Sequence, residues 1–223
     1  VPEPDPPRLF LLSPASCGGE RARLLFNERA RSELAARLRS RSGAPLGEVF
    51  SFLSSLYFRA KLSYANAFAA PPTGLPGVLV ITTCAGLRSP QERVNLEELR
   101  RFGGVPIAAA DPRYRTPLLR AARRLERELR ASPECEVVLL GSVASGKYVE
   151  LLSEVFGARL RFPGDFVGRG DMSRGGLLLR CIADRAELGY VPAAGALRHG
   201  ARPARLVPRP GLLGRLTEPR SSR

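Results

Sequence analysis

The sequence predicts a single α/β domain, built on a largely parallel or mixed sheet flanked by helices and ending in a flexible basic tail. Three observations carry this reading. Short unbroken apolar runs, such as VLVIT at 78–82 and VVLL at 137–140, fit strands buried on both faces. Amphipathic stretches of helical period alternate with those runs, which indicates a sheet covered on both sides. The chain has 223 residues, 44% of them apolar, which suits one substantial core and excludes wholesale disorder.

The elements follow in order. Residues 8–13 (RLFLLS) form a buried strand ended by Pro14. A helix is predicted over 20–41, with Leu24, Leu25, Ala35 and Leu38 inward, until Ser42, Gly43 and Pro45 break it. A second helix, over 47–69, carries Phe50, Phe52, Tyr57, Phe58, Tyr64 and Phe68. A Pro/Gly loop at 71–77 leads to the strand 78–82, and a short helix covers 96–102. The clearest helix spans 115–131: Leu118, Leu119, Ala122, Leu125 and Leu129 form one stripe, and Arg120, Arg123, Arg124, Arg127 and Arg130 point elsewhere. Strand 137–140, helix 144–156 and strand 159–162 come next. Residues 177–182 fit a helix or a strand, and 188–191 a last strand. No internal repeat is present. The organisation expected is a flexible N-terminal segment at 1–7, the α/β domain at 8–198 and a basic, disordered tail at 199–223.

Charge narrows the function. The formal net charge is +14 and the isoelectric point is near 11. Every basic residue except Lys61 and Lys147 is arginine, and residues 198–223 hold seven Arg against one Glu. Such an excess attracts polyanions, and nucleic acid is the expected partner. No apolar run approaches the roughly 20 residues of a membrane span, and the acidic, proline-rich start lacks the pattern of a signal peptide. A cytoplasmic location is therefore expected. Cys17, Cys84, Cys135 and Cys181 lie far apart and read as buried free thiols. His199 is the only histidine, which removes triads and Cys–His pairs. No metal site and no cofactor are expected.

Four segments could carry chemistry. Gly141-Ser-Val-Ala-Ser-Gly-Lys-Tyr148 follows a strand and precedes a helix, where free amides favour an anion. It nearly satisfies a phosphate-loop pattern, but Tyr148 stands where a Mg²⁺-binding hydroxyl belongs, so a phosphate contact competes with a plain helix cap. Val167-Gly-Arg-Gly-Asp-Met-Ser-Arg-Gly-Gly176 offers the guanidinium forks of Arg169 and Arg174 to an anion, or an Asp171–Arg lock within a surface loop. Tyr57, Lys61 and Tyr64 share a helix face by spacing and could stack a base, although aromatic stripes more often belong to a core. The stretch from Leu96 to Ala110 faintly matches a helix-hairpin-helix, with Pro106 in place of the second glycine.

Three of these stretches together resemble the bacterial peroxide-stress protein YaaA and its relatives. Leu12-Ser-Pro-Ala15 is similar to that family's opening I-S-P-A. Ser142-Val-Ala-Ser-Gly-Lys-Tyr148 resembles its N-L-A-S-x-E-Y, and Arg169-Gly-Asp-Met-Ser-Arg174 its R-G-x-M-[SA]-R. Residues 48–57 match its aromatic G-D-x-Y helix in position, but Ser55 and Leu56 replace the Gly-Asp pair. The resemblance implies an α/β fold, a cytoplasmic location, binding to double-stranded DNA and a role in oxidative stress. It supplies no established reaction.

The expected function is nucleic-acid binding, to duplex DNA in particular, with a stress-response or DNA-protection role. Phosphate contacts are assigned to Ser13, Ser142, Ser145, Gly146, Lys147, Tyr148, Arg169, Gly170, Ser173 and Arg174, and base stacking to Tyr57, Lys61 and Tyr64. The alternative is an enzyme acting on a nucleotide or nucleobase in a pocket lined by the 142–148 and 169–174 loops. Asp165 or Asp171 would then be its acid. A third possibility is a scaffold whose tail binds an acidic protein.

Overall fold

The computed structural model describes residues 5–54, 56–144, 146–204, 206 and 207. In chain order the elements are β1 (Arg8–Leu12), α1 (Glu20–Phe26), α2 (Glu33–Arg39), β2 (Ala44–Pro45), α3 (Leu46–Ser54), α4 (Leu56–Phe68), β3 (Val78–Ile81), β4 (Leu87–Arg88), β5 (Arg93–Val94), α5 (Leu96–Gly103), α6 (Pro112–Glu128), β6 (Glu136–Leu140), α7 (Val149–Phe156), β7 (Leu160–Pro163), α8 (Asp171–Asp184) and β8 (Tyr190–Pro192).

Side-chain alternation along β1 sorts the domain into layers. Leu9 and Leu11 point into a core shared with α6 and α7, where Tyr114, Leu118 and Leu151 are fully buried. Phe10 and Leu12 point into a second core, with Phe50, Phe58, Tyr64 and Leu178 from α3, α4 and α8. The sheet between these layers has the order β4-β3-β1-β6-β7-β8. Its four inner strands are parallel, and β4 and β8 run antiparallel at the edges. The fold is thus a single α/β domain on a mixed, largely parallel sheet. From β1 the chain passes to β3 on one side, then returns through α6 to β6 on the other side. The crossovers diverge between β1 and β6, which leaves a crevice beyond their carboxyl ends.

The boundaries differ from expectation where a polar side chain or a glycine overrides apolar period. The stretch 20–41 is two helices, not one. Asn27 Oδ1 accepts from the Arg29 amide in a tight turn, and Ser32 Oγ caps α2 through the Ala35 amide. Leu24 is consequently 59% exposed. The stretch 47–69 is α3 and α4, either side of Ser55. α7 begins only at Val149, because Gly146 sits at φ 67°, outside helical backbone. Asp171 to Arg174 are not a loop but the first turn of α8, whose later residues resolve 177–182 as helix. Asp111 and Pro112 start α6, so no second helix forms within 104–111 and the helix-hairpin-helix is absent there. All four cysteines are free, with Cys84 only partly buried. Among the described residues no helix is long and apolar enough to cross a membrane. Most of the expected 199–223 tail, and residues 1–4, lie outside the described residues.

The layering predicts a contrast between two leucines. Leu11→Ala opens a cavity in the central strand and should cost about 2–5 kcal/mol in urea unfolding. Leu24→Ala removes an exposed side chain and should leave the midpoint close to that of the native chain. Equal losses would refute this assignment of layers.

Candidate functional site

Close approach of two strand ends creates the site. A Cβ on Gly141 would stand 2.8 Å from Ser13 Cβ and 3.1 Å from its Oγ, so only glycine lets the exit of β6 lie against the exit of β1. The Ser13 amide donates to the Leu140 carbonyl at 3.0 Å, which holds them together. Beyond them opens a cleft of about 590 Å³, at the crevice where the crossovers diverge. Its walls are the β1–α1 turn from Ser13 to Gly18, Leu53 and Tyr57 of α3 and α4, Thr83, Phe102 and Ile107, the β6–α7 turn, and Asp171.

Behind Ser13 lies Lys61, only 1% exposed. Its Nζ is 2.6 Å from the Ser13 carbonyl oxygen and 2.7 Å from Ser13 Oγ. It sits 4.6 Å from the Tyr57 ring centre and 5.1 Å from that of Phe58. Among the described residues no carboxylate pairs with it. Burial lowers its pKa from 10.5 to about 7; the Asp171 charge opposes the shift and Arg174 adds to it. Among the described residues the buried Tyr57 hydroxyl donates to no acceptor. Burial holds it protonated well above the ordinary phenol range, against the nearby Arg174 guanidinium, which favours the ionised form.

The expected site residues separate into three groups. Ser13, Ser142, Lys147 and Tyr148 line the cleft, joined by Asp171 from the first turn of α8. Lys147 Nζ lies 5.3 Å from the Tyr148 ring centre, and its carbonyl accepts from the Tyr114 hydroxyl at 3.2 Å. Gly146 adjoins them, and a Cβ there would collide with the Glu150 carboxylate. Ser145 lies outside the described residues.

Arg169, Gly170, Ser173 and Arg174 are not part of the lining. Arg169 donates to the Asp165 carbonyl at 3.0 Å and to Ser173 Oγ at 3.2 Å. Gly170 precedes α8 as its N-cap. Arg174 is 6% exposed, with Nε and Nη2 on the Phe166 carbonyl at 3.2 and 3.1 Å and Nη1 3.4 Å from Asp171. It fastens the β7–α8 connection. Asp165 is exposed and away from the cleft.

The aromatic face of α4 is turned inward. Tyr64 is fully buried, its hydroxyl bonded to Tyr190 and to the Leu188 amide, so its ring is closed to a base. Tyr57 reaches the cleft wall.

Sequence reasoning missed the Lys61–Ser13 contact, which joins residues 48 positions apart. A signal was present. Arginine is the chain's default base, yet its only two lysines, Lys61 and Lys147, both stand at this cleft. Lysine can shed its proton when buried, and arginine cannot. Among the described residues no cluster of His, Cys, Asp and Glu could hold a metal ion.

The buried amine has a defined stability signature. Its folded pKa lies below its unfolded value, so between pH 7 and about pH 10 the unfolded chain binds a proton that the folded chain lacks. Lys61 therefore makes stability rise with pH across that window, with a slope of up to about 1.4 kcal/mol per pH unit. The unfolding free energy of Lys61→Met relative to the native chain should fall between pH 7 and 9 in urea titrations. Parallel pH profiles would show that Lys61 stays charged on folding. The chain matches no family model, no curated protein and no solved structure.

Proposed function

We propose that the protein binds nucleic acid, duplex DNA in particular, through an arginine stripe on α6. The observation that carries this is the set Arg120, Arg123, Arg127 and Arg130. They follow one another at spacings of three, four and three along α6 and the 3₁₀ turn that continues it. All four are exposed, and among the described residues none pairs with a carboxylate. Arg113 and Arg124 lie on the same helix but are paired with Asp111 and Glu128. The stripe runs about 15 Å. Its helix is anchored by Tyr114, Leu118 and Leu125, so the charges are presented by a rigid element.

The net charge of +14 supports this reading. So does the likeness of 12–15, 142–148 and 169–174 to the peroxide-stress family, from which a cytoplasmic role in DNA protection is proposed. Phosphate contacts position a protein without reading bases, so little sequence preference is expected. A second reading is kept for the cleft: its place at the diverging crossovers and the presence of Asp171 favour an enzyme acting on a nucleotide or nucleobase.

A salt titration of duplex DNA binding tests the proposal. Affinity should fall steeply with salt, and replacing Arg120, Arg123, Arg127 and Arg130 by Gln should lower the slope of log K against log salt by up to about 3.6. Deleting residues 200–223 should flatten it further. No measurable binding by the native chain at low salt would end the proposal. Binding insensitive to salt would remove the stripe as its cause. Arg174→Ala is expected to act differently, by lowering the melting temperature without changing the salt slope, because that guanidinium is held on the Phe166 carbonyl.

A further inference from the structure

We propose that Ser13 and Lys61 form a nucleophile–base pair that transfers acyl groups from an ester or amide carbonyl held in the cleft. The inference rests on the cleft alone, independently of the α6 stripe. Ser13 lines the cleft wall, and Lys61 Nζ is 2.7 Å from its Oγ. That is the contact by which a base activates a weak hydroxyl nucleophile. The amine is buried and forms no ion pair with a carboxylate among the described residues, so burial disfavours its charged form, with only the more distant Asp171 charge opposing. As a neutral amine it can donate one hydrogen to the Ser13 carbonyl at 2.6 Å and accept the Ser13 hydroxyl proton through its lone pair. A third feature points to a ligand. The Tyr57 hydroxyl, on the same helix and in the same cleft wall, is a buried donor that meets no acceptor among the described residues.

The steps balance. Ser13 Oγ attacks the carbonyl carbon while Lys61 takes the hydroxyl proton. Negative charge gathers on the carbonyl oxygen, where the Tyr57 hydroxyl can donate to it. Collapse of the adduct breaks the bond to the alcohol or amine, which leaves with the proton from Lys61, and Ser13 remains acylated. Water then attacks the acyl-serine and gives its proton to Lys61. Ser13 departs and recovers that proton, releasing the carboxylic acid.

The charge of the cleft selects the substrate class. With Lys61 neutral, the charged groups in the lining are Lys147 and Asp171, which offset one another. Arg169 and Arg174 are engaged elsewhere. A neutral carbonyl suits these walls better than a phosphoryl group, whose several charges would need more cations. Burial dominates the proton affinity of Lys61, and the charges that act on it are Asp171 and Arg174 on α8; Tyr57 on its own helix and Ser13 just past β1 face it uncharged.

The test uses the full-length protein with a fluorophosphonate probe and with p-nitrophenyl acetate, read by intact mass and peptide mapping. A single adduct on Ser13 is expected, forming faster as pH rises through about 7, where neutral Lys61 accumulates. Ser13→Ala should abolish it. Lys61→Arg keeps the donors but cannot give up a proton, and should slow labelling by roughly 100-fold or more. Tyr57→Phe should slow it by about 100-fold. Melting curves report whether each variant is folded. If a variant unfolds, the mapped adduct on the native chain still decides. No adduct, an adduct on Cys17 or any residue other than Ser13, or native-like labelling of folded Lys61→Arg would overturn the proposal.

Discussion

The structure depends on one strand being enclosed on every side. β1 has parallel partners along both edges and a core on each face. Its side chains from Leu9 to Leu12 are fully buried, so its polar groups must be satisfied within the protein. At the carboxyl end this leaves the Ser13 carbonyl and hydroxyl beyond the ladder. Lys61 reaches across from α4 to meet both. A charged amine in that place would carry the desolvation penalty of an unpaired buried charge, whereas a neutral one does not. The need to close off a central strand thus places a deprotonatable amine against a serine at the mouth of a cleft.

Arginine serves two different ends in this chain. Some guanidiniums knit the fold. Arg8 joins the start of β1 to Glu187 at 2.5 Å, Arg161 reaches Glu136 at 2.7 Å, and Arg174 holds the Phe166 carbonyl. Glu187 also accepts from the Tyr190 hydroxyl, which meets that of Tyr64, so α4, β1 and the approach to β8 share one network. The stripe on α6 has no such internal role. Exposed pairs contribute at most about 1 kcal/mol. Among the described residues these four arginines lack a carboxylate partner, which sacrifices little stability and leaves a positive face on a rigid helix.

The layers were legible from apolar runs, because a strand buried on both faces admits few polar residues. Helix ends were less so. Asn27 and Ser32 break the stretch 20–41 through two side-chain hydrogen bonds that apolar period does not register. Gly146 delays α7 through a backbone conformation visible only once the turn is built. Part of the cleft was also legible: Ser13, Ser142, Lys147 and Tyr148 were singled out beforehand and lie in its walls. Arg169 and Arg174 looked equally suited to an anion. Their use depends on which carbonyls the β7–α8 connection leaves unsatisfied, and that is a property of the packed state.

By itself the sequence determined the class of fold, the position of most strands and the excess of positive charge, since these follow from composition and period along the chain. Tertiary structure decided which charges are free and which hydroxyl has a base. Lys61 and Ser13 are 48 residues apart, and nothing local to either specifies the other. They meet because α4 packs over the end of β1, and Tyr57 joins them one helical turn before Lys61. Burial at that meeting point lowers the proton affinity of one lysine, a consequence of the solvent that folding removes and not of the residue itself.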